Sequence, residues 1–102
     1  MHFIRGAFNR IIHLLARYSP GAETIRPFLH KLRGVKIRGR IFIGDEVYIE
    51  NEYPERIEIH DGAQICLRTT IICHLRGAGK IVIGQNVWIG AGCTIATTAA
   101  RL

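Results

Sequence analysis

Histidine and cysteine are the side chains of this sequence whose chemistry is most informative. The chain of 102 residues contains five histidines, His2, His13, His30, His60 and His74, and three cysteines, Cys66, Cys73 and Cys93. A neutral histidine can take a proton from a hydroxyl near pH 7, which suits general base catalysis. The closeness in sequence of Cys73 and His74 raises two further alternatives, a metal site and a Cys–His nucleophile.

The spacing of the cysteines argues against disulfides and zinc knuckles. Their number is odd and no C-x-x-C pair occurs, so a reducing, cytoplasmic location is expected. The N-terminal residues are interrupted by Arg5, Arg10, His13 and Arg17, which is too polar for a spanning helix or a signal peptide.

Positive charge is concentrated at the N-terminal end. Residues 1–40 hold nine of the fourteen Lys and Arg against the single acid Glu23, a local charge of +8, and the remainder carries −2. A solvated helix face explains such a distribution, and so does peripheral contact with an anionic membrane through the basic N-terminal helix. We expect no nucleic-acid binding, because no aromatic–basic platform or recognised motif accompanies the charge.

Two helices are predicted in residues 1–34. Apolar residues recur at spacings of three and four from Phe3 to Tyr18, and Ser19-Pro20-Gly21 ends this amphipathic helix. A second helix is expected within "AETIRPFLHKLRG", with Pro27 in its first turn and Gly34 at its end.

From Val35 onward, aliphatic residues recur every six positions. One phase runs through Ile59, Ile65, Ile71, Gly77, Ile83, Ile89 and Ile95, and an earlier phase runs through Ile37, Ile43 and Ile49. The fifth position of each hexad, for example Val47, Ala63 and Cys93, is also expected to point inward. The segment "NEYPERIE" interrupts the two phases and is predicted to form a loop.

A period of six suits a triangular coil with one hexad on each side and eighteen residues in each turn. The sequence therefore predicts a mainly β fold, a left-handed parallel β-helix over residues 35–102 preceded by a short helical segment over residues 1–34. Gly44, Gly62, Gly84 and Gly90 fit corners, where a positive φ or a tight backbone is needed. A small core of this kind favours association of several copies.

The same register assigns candidate site residues. His74 is predicted at a corner with an outward side chain, and a step of eighteen residues places Gly92 beside it, where no side chain obstructs a ligand. Cys73 should point elsewhere, and successive hexads should keep His60 and Cys66 apart, so neither a nucleophile pair nor a metal site is favoured. Trp88 is expected to face outward, either in contact with a ligand or in packing between copies.

The stretches "IVIGQNVWIGAGCTI" and "IICHLRGAGK" resemble the hexapeptide-repeat acyltransferases, in particular sugar O-acetyltransferases of polysaccharide biosynthesis. This resemblance implies a homotrimer with sites between subunits, acetyl-CoA as cosubstrate and no metal. It implies His74 as the general base that activates a hydroxyl of a sugar or nucleotide-sugar acceptor. Trp88 would contact substrate, and Gly90 and Gly92 would line the acetyl-CoA site.

Asn51 and Glu52 leave the repeat and are candidates for binding acceptor hydroxyls, although a solvated loop is an equal alternative. The enzymes that the chain resembles continue for several turns beyond the position of Leu102, so we expect an incomplete C-terminal end. Two other functions stay open: a non-catalytic trimerising or interaction module, and a metal protein similar to the γ-type carbonic anhydrases.

Overall fold

The computed structural model describes residues 2–73, 79–96 and 99–102. Its two α-helices are α1, His2–Tyr18, and α2, Ile25–Leu32, which confirms the two predicted helices. Pro27 is buried in the first turn of α2, where its missing N–H has no helical partner to lose. Among the described residues, no helix is both long enough and apolar enough to cross a membrane.

Ten short strands follow the helices. They are β1 Lys36–Arg38, β2 Phe42–Ile43, β3 Tyr48–Ile49, β4 Ile57–His60, β5 Gln64–Ile65, β6 Thr70–Ile72, β7 Lys80–Ile83, β8 Trp88–Ile89, β9 Thr94–Ala96 and β10 Ala99–Arg101. Every third strand pairs in parallel, which gives one sheet in the order β1-β4-β7-β10 and two others, β2-β5-β8 and β3-β6-β9. A single 3₁₀ turn, Pro54–Arg56, precedes β4.

The prediction of a left-handed parallel β-helix with regular eighteen-residue turns is wrong. The described residues form two helices and three separate small parallel sheets of very short strands, and they do not form a closed regular coil. Lys36 pairs with Glu58 whereas Ile57 pairs with Ile81, so the interval along the sequence is longer at the second step than at the first. The physical reason is that the connections differ in length, so successive strand layers do not repeat at a constant interval.

Isoleucines that are six residues apart in the sequence lie in successive sheets, so each sheet contains a row of them. Ile37, Ile59 and Ile83 lie side by side in the first sheet, and the second and third sheets hold equivalent rows. Those rows are Ile43, Ile65 and Ile89 in the second sheet, and Ile49, Ile71 and Ile95 in the third. Most of these side chains are fully buried and form one core cluster. Cys93, predicted to point inward, is instead exposed.

The turns between strands use left-handed backbone at matching positions. Glu46, Arg68 and Gly92, which precede the three strands of the third sheet, have φ values of 54°, 58° and 70°. Gly62 and Asn86, which precede β5 and β8 of the second sheet, share this conformation. Two of these positions are glycine, which adopts positive φ without steric cost.

The helices cover the first strand of two of the sheets. The amide of Ile43 in β2 donates to the carbonyl of Ala22 at 2.9 Å, and the amide of Glu46 donates to the carbonyl of Arg17 at 2.9 Å. The amide of Ile49 in β3 donates to Nε2 of His13 at 3.1 Å. These contacts provide acceptors for backbone amides at the open edges of β2 and β3, as buried backbone requires.

Gly44 lies where two strand layers approach closely, and we expect G44A to destabilise the fold. A Cβ on Gly44 would lie 2.6 Å from the backbone nitrogen of Leu67. Because backbone cannot move aside cheaply, the free energy of unfolding in urea should fall by about 2 kcal/mol.

The matched control is G6A on α1, where an added Cβ meets nothing within 4 Å. This variant should be unchanged or more stable by up to about 1 kcal/mol, since alanine favours helix. Equal stabilities of G44A and G6A would contradict the close approach.

Candidate functional site

Glu50 organises the loop that contains Asn51 and Glu52. Its side chain is fully buried, and one carboxylate oxygen accepts the amides of Glu52 at 2.8 Å and Tyr53 at 2.9 Å. The other oxygen accepts the amide of Cys73 at 2.7 Å. One carboxylate therefore joins this loop to the residue that immediately precedes His74 in the sequence.

Cys73 is held as a neutral thiol. Burial, followed by the nearby Glu50 carboxylate, raises the pKa of the Cys73 thiol to about 12. The thiolate is the nucleophilic form of cysteine, so Cys73 is unreactive at neutral pH. The Cys–His nucleophile alternative is accordingly not supported by the environment of this thiol.

His13 connects α1 to the same loop. Its Nε2 accepts the Ile49 amide, so its Nδ1 carries the proton and donates to Oδ1 of Asn51 at 3.1 Å. Burial, together with the charge of Arg33, lowers the pKa of His13 to about 4. His13 is therefore a neutral structural group near pH 7, and it fixes the side chain of Asn51.

Arg33 and His30 extend this buried network from α2. Arg33 donates to Oδ1 of Asn9 at 2.7 Å, to Nδ1 of His30 at 3.2 Å and to the Glu50 carbonyl. Burial lowers the pKa of Arg33 to about 10, which leaves it charged at pH 7. Burial and the Arg33 charge hold the pKa of His30 well below its usual range, so His30 is neutral.

A cavity of about 890 Å³ lies beside this network. Its charged lining consists of Arg5, Arg10, Arg33, Arg56, Glu52 and Glu55, and its apolar lining includes Ile4, Phe8, Leu32 and Tyr53. Glu52 forms an exposed ion pair with Arg10 at 3.1 Å. A cavity of this size can hold a sugar or a nucleotide, and four arginines against two glutamates favour an anionic ligand.

The structure separates the predicted site residues into two groups. Asn51 and Glu52 line the cavity, whereas Trp88, Gly90 and Gly92 belong to β8 and the turn that follows it. The carbonyl of Gly90 accepts from Oγ1 of Thr69 at 3.1 Å. The two groups share none of the hydrogen-bond partners just described.

Trp88 is 69% exposed, as expected for an outward residue, and pairs in register with Gln64. The amide of Gly92 donates to the Leu67 carbonyl at 2.9 Å. Thr70 of β6 pairs with Thr94 of β9, so the interval between these two strands is longer than eighteen residues. The predicted position of Gly92 beside His74 stays a prediction. His74 itself lies outside the described residues.

Sequence reasoning missed the buried polar residues of this site. Asn9 and His13 are four residues apart on α1, Arg26 and His30 are four apart on α2, and Arg33 directly follows α2. Such polar stripes resemble solvated faces, but here they point inward. The sequence signal that could have identified these polar residues as buried is the large apolar face on the opposite side of each helix.

Within residues 2–73, 79–96 and 99–102, no group of three or more His, Cys, Asp or Glu side chains is placed to hold a metal ion.

Comparison with known proteins found no match, since no family model matches the chain and no curated protein or solved structure is significantly similar to it.

We expect E50A to destabilise the protein strongly, because three backbone amides lose their acceptor in a buried position. The loss should be about 3 to 5 kcal/mol in the free energy of unfolding. E50Q keeps one acceptor oxygen and should lie between E50A and the wild type.

E55A removes an exposed carboxylate from the same loop and serves as the control, with an expected change within about 0.5 kcal/mol. Chemical denaturation of the three variants measures these differences. Similar stabilities of E50A and E55A would show that Glu50 does not hold the loop.

Acid is expected to weaken the docking of α1. The pKa of His13 is about 4 in the folded protein and ordinarily 6.5, so between these values only the unfolded chain takes the proton. Stability is therefore complete above pH 6.5 and falls as the pH is lowered toward 4, by on the order of 2 kcal/mol at pH 5.

H13Q should flatten the dependence of the melting temperature on pH between 7 and 5. I12V, which weakens the packing of the same helix but leaves His13 in place, should keep the wild-type slope. Equal slopes for H13Q and the wild type would exclude His13 as the titrating group.

Proposed function

We propose that the chain acts in the transfer of an acetyl group from acetyl-CoA to a hydroxyl of a sugar or nucleotide-sugar acceptor. The observation that carries the proposal is the Glu50 carboxylate, which joins the Asn51–Glu52 loop to the peptide before His74. The resemblance of "IVIGQNVWIGAGCTI" to sugar O-acetyltransferases supports the same reaction.

In this proposal His74 is the general base. Its neutral imidazole takes the proton of the acceptor hydroxyl while the oxygen attacks the thioester carbonyl. The carbon–sulfur bond then breaks and coenzyme A leaves as the thiol after protonation. The acceptor hydroxyls are held by Asn51 and Glu52, and the arginines of the cavity bind phosphate groups.

Gly90 and Gly92 are assigned to the acetyl-CoA site, and the neighbouring Trp88 to contact with substrate. They share no described hydrogen-bond partner with Asn51 and Glu52, so we infer that a complete site forms across an interface between two copies in a homotrimer. An exposed Trp88 suits such an interface, because tryptophan contributes strongly to binding when a partner covers it. We further infer a cytoplasmic location, which fits the free thiols of Cys66, Cys73 and Cys93.

The test is acetyl-CoA turnover against a panel of sugar and nucleotide-sugar acceptors, followed by release of the coenzyme A thiol. H74A should lower the rate by about 10²-fold or more, which is the usual contribution of a general base. H60A replaces another histidine of the strand region and should keep the wild-type rate. Circular dichroism and sedimentation of both variants check the fold and the association state.

Near-normal turnover by H74A would remove His74 as the base. Absence of both turnover and acetyl-CoA binding in the wild type, with every acceptor in the panel, would overturn the proposed reaction.

A further inference from the structure

The two helices expose a large apolar surface. We define the outer helix face as the exposed apolar residues of α1, Ile4, Phe8, Ile11, Leu14, Leu15 and Tyr18, and of α2, Ile25, Phe28 and Leu32. Each of these side chains is between 45% and 66% exposed. An apolar patch of this extent commonly marks a surface that is covered by a membrane or by another protein molecule.

Both helices expose most of their large apolar side chains, whereas an ordinary surface helix buries its apolar side; of the apolar side chains that the structure describes on α1, only those of Ala16 and Ile12 are buried. On α1 the inward side carries His13, which accepts the Ile49 amide of β3. On α2 it carries Arg26, which donates to the Ile43 carbonyl of β2 at 3.0 Å. The polar side of α1 thus faces β3 and that of α2 faces β2. The exposed apolar residues of the two helices meet at the cavity, which Ile4 and Phe8 of α1 line together with Leu32 of α2.

The charges around the outer helix face favour an anionic partner. Neither α1 nor α2 contains an aspartate or glutamate. Arg5 precedes Phe8 by three residues and Lys31 follows Phe28 by three, so exposed cations border the apolar residues. Arg10 is exposed on the same helix as Arg5 and is paired with Glu52. Two copies paired through this face would bring like charges together, whereas anionic lipid headgroups would neutralise them.

We propose that the outer helix face docks on an anionic membrane surface, with α1 and α2 lying in the headgroup region. The combination of a basic border, aromatic residues and aliphatic residues on one side is typical of helices that lie in a membrane interface. Ile4, Phe8 and Leu32 also line the arginine-rich cavity, so docking brings the rim of the cavity to the lipid surface. This docking does not depend on acetyl transfer.

The experiment is cosedimentation of the full chain with vesicles of phosphatidylcholine alone and of phosphatidylcholine mixed with phosphatidylglycerol. We expect binding to the mixed vesicles, weaker binding to the neutral ones and release as NaCl is raised, because salt screens the charges. K31Q should lower affinity for mixed vesicles about fivefold.

The double variant F8Q/F28Q should lower affinity at least tenfold, because two large apolar side chains no longer enter the interface. The control is L67Q, which changes an exposed apolar residue away from the helices and should bind as the wild type does. H74A should also bind normally, which separates this result from a failure of the proposed reaction. Circular dichroism confirms that each variant is folded.

Equal binding of wild type and F8Q/F28Q, or binding without preference for anionic lipid, would overturn the proposal. Self-association of the lipid-free wild type that F8Q/F28Q abolishes, without vesicle binding, would show that a second copy covers the face instead.

Discussion

The hydrogen bonding of the first strand edges is the constraint on which the rest of the structure depends. Strands β2 and β3 begin their sheets, and their outer amides and carbonyls need partners that water cannot supply once helices cover them. The Ala22 carbonyl and His13 accept amides of β2 and β3, the Arg17 carbonyl accepts the amide of Glu46 between these strands, and Arg26 donates to the Ile43 carbonyl. The inner sides of both helices contain buried polar residues for this reason, beside apolar ones such as Ala16.

The same contacts shape the candidate site. Arg33 satisfies the Glu50 carbonyl at the end of the β3 edge, and the Glu50 side chain then holds the following loop through three amides. Asn51 is fixed by His13 from one side. The two roles therefore meet at a single residue, since the Glu50 carbonyl takes part in edge capping and its carboxylate holds the loop that lines the cavity.

The six-residue period predicted which side chains fill the core but not the architecture. Isoleucine rows such as Ile43, Ile65 and Ile89 pair in register, as expected when the same position of each hexad points inward. The length of each connection is set elsewhere, by features such as the Glu50 carboxylate and the Pro54–Arg56 turn, which leave no periodic signal. The prediction of an eighteen-residue turn was therefore wrong, and so was the regular coil.

Residues of the candidate site could be identified from the sequence where they interrupt the hexad repeat, but not where they fit the pattern of an amphipathic helix. Asn51 and Glu52 stood out because they interrupt the hexads, and both line the cavity. His13 and Arg33 lie within or beside amphipathic helices, where a polar stripe is ordinarily assigned to solvent. Which side of a helix faces inward depends on what it packs against, and a strand edge demands polar groups while a hydrophobic core demands apolar ones.

The apolar outer surface is a separate property and does not follow from edge capping. Covering the strand edges uses Arg26, Arg33 and His13, and the positions on the opposite side of each helix make none of these contacts. Polar residues there would preserve every edge hydrogen bond and would lower the tendency to aggregate. The presence of aromatic and aliphatic side chains there, with cations at the border, is therefore not explained by contacts within the described part of the chain, and it is what the proposed docking on an anionic membrane requires. Phe8 and Leu32 belong both to this surface and to the cavity, so a partner that docks on the helices would also contact the rim of the candidate site.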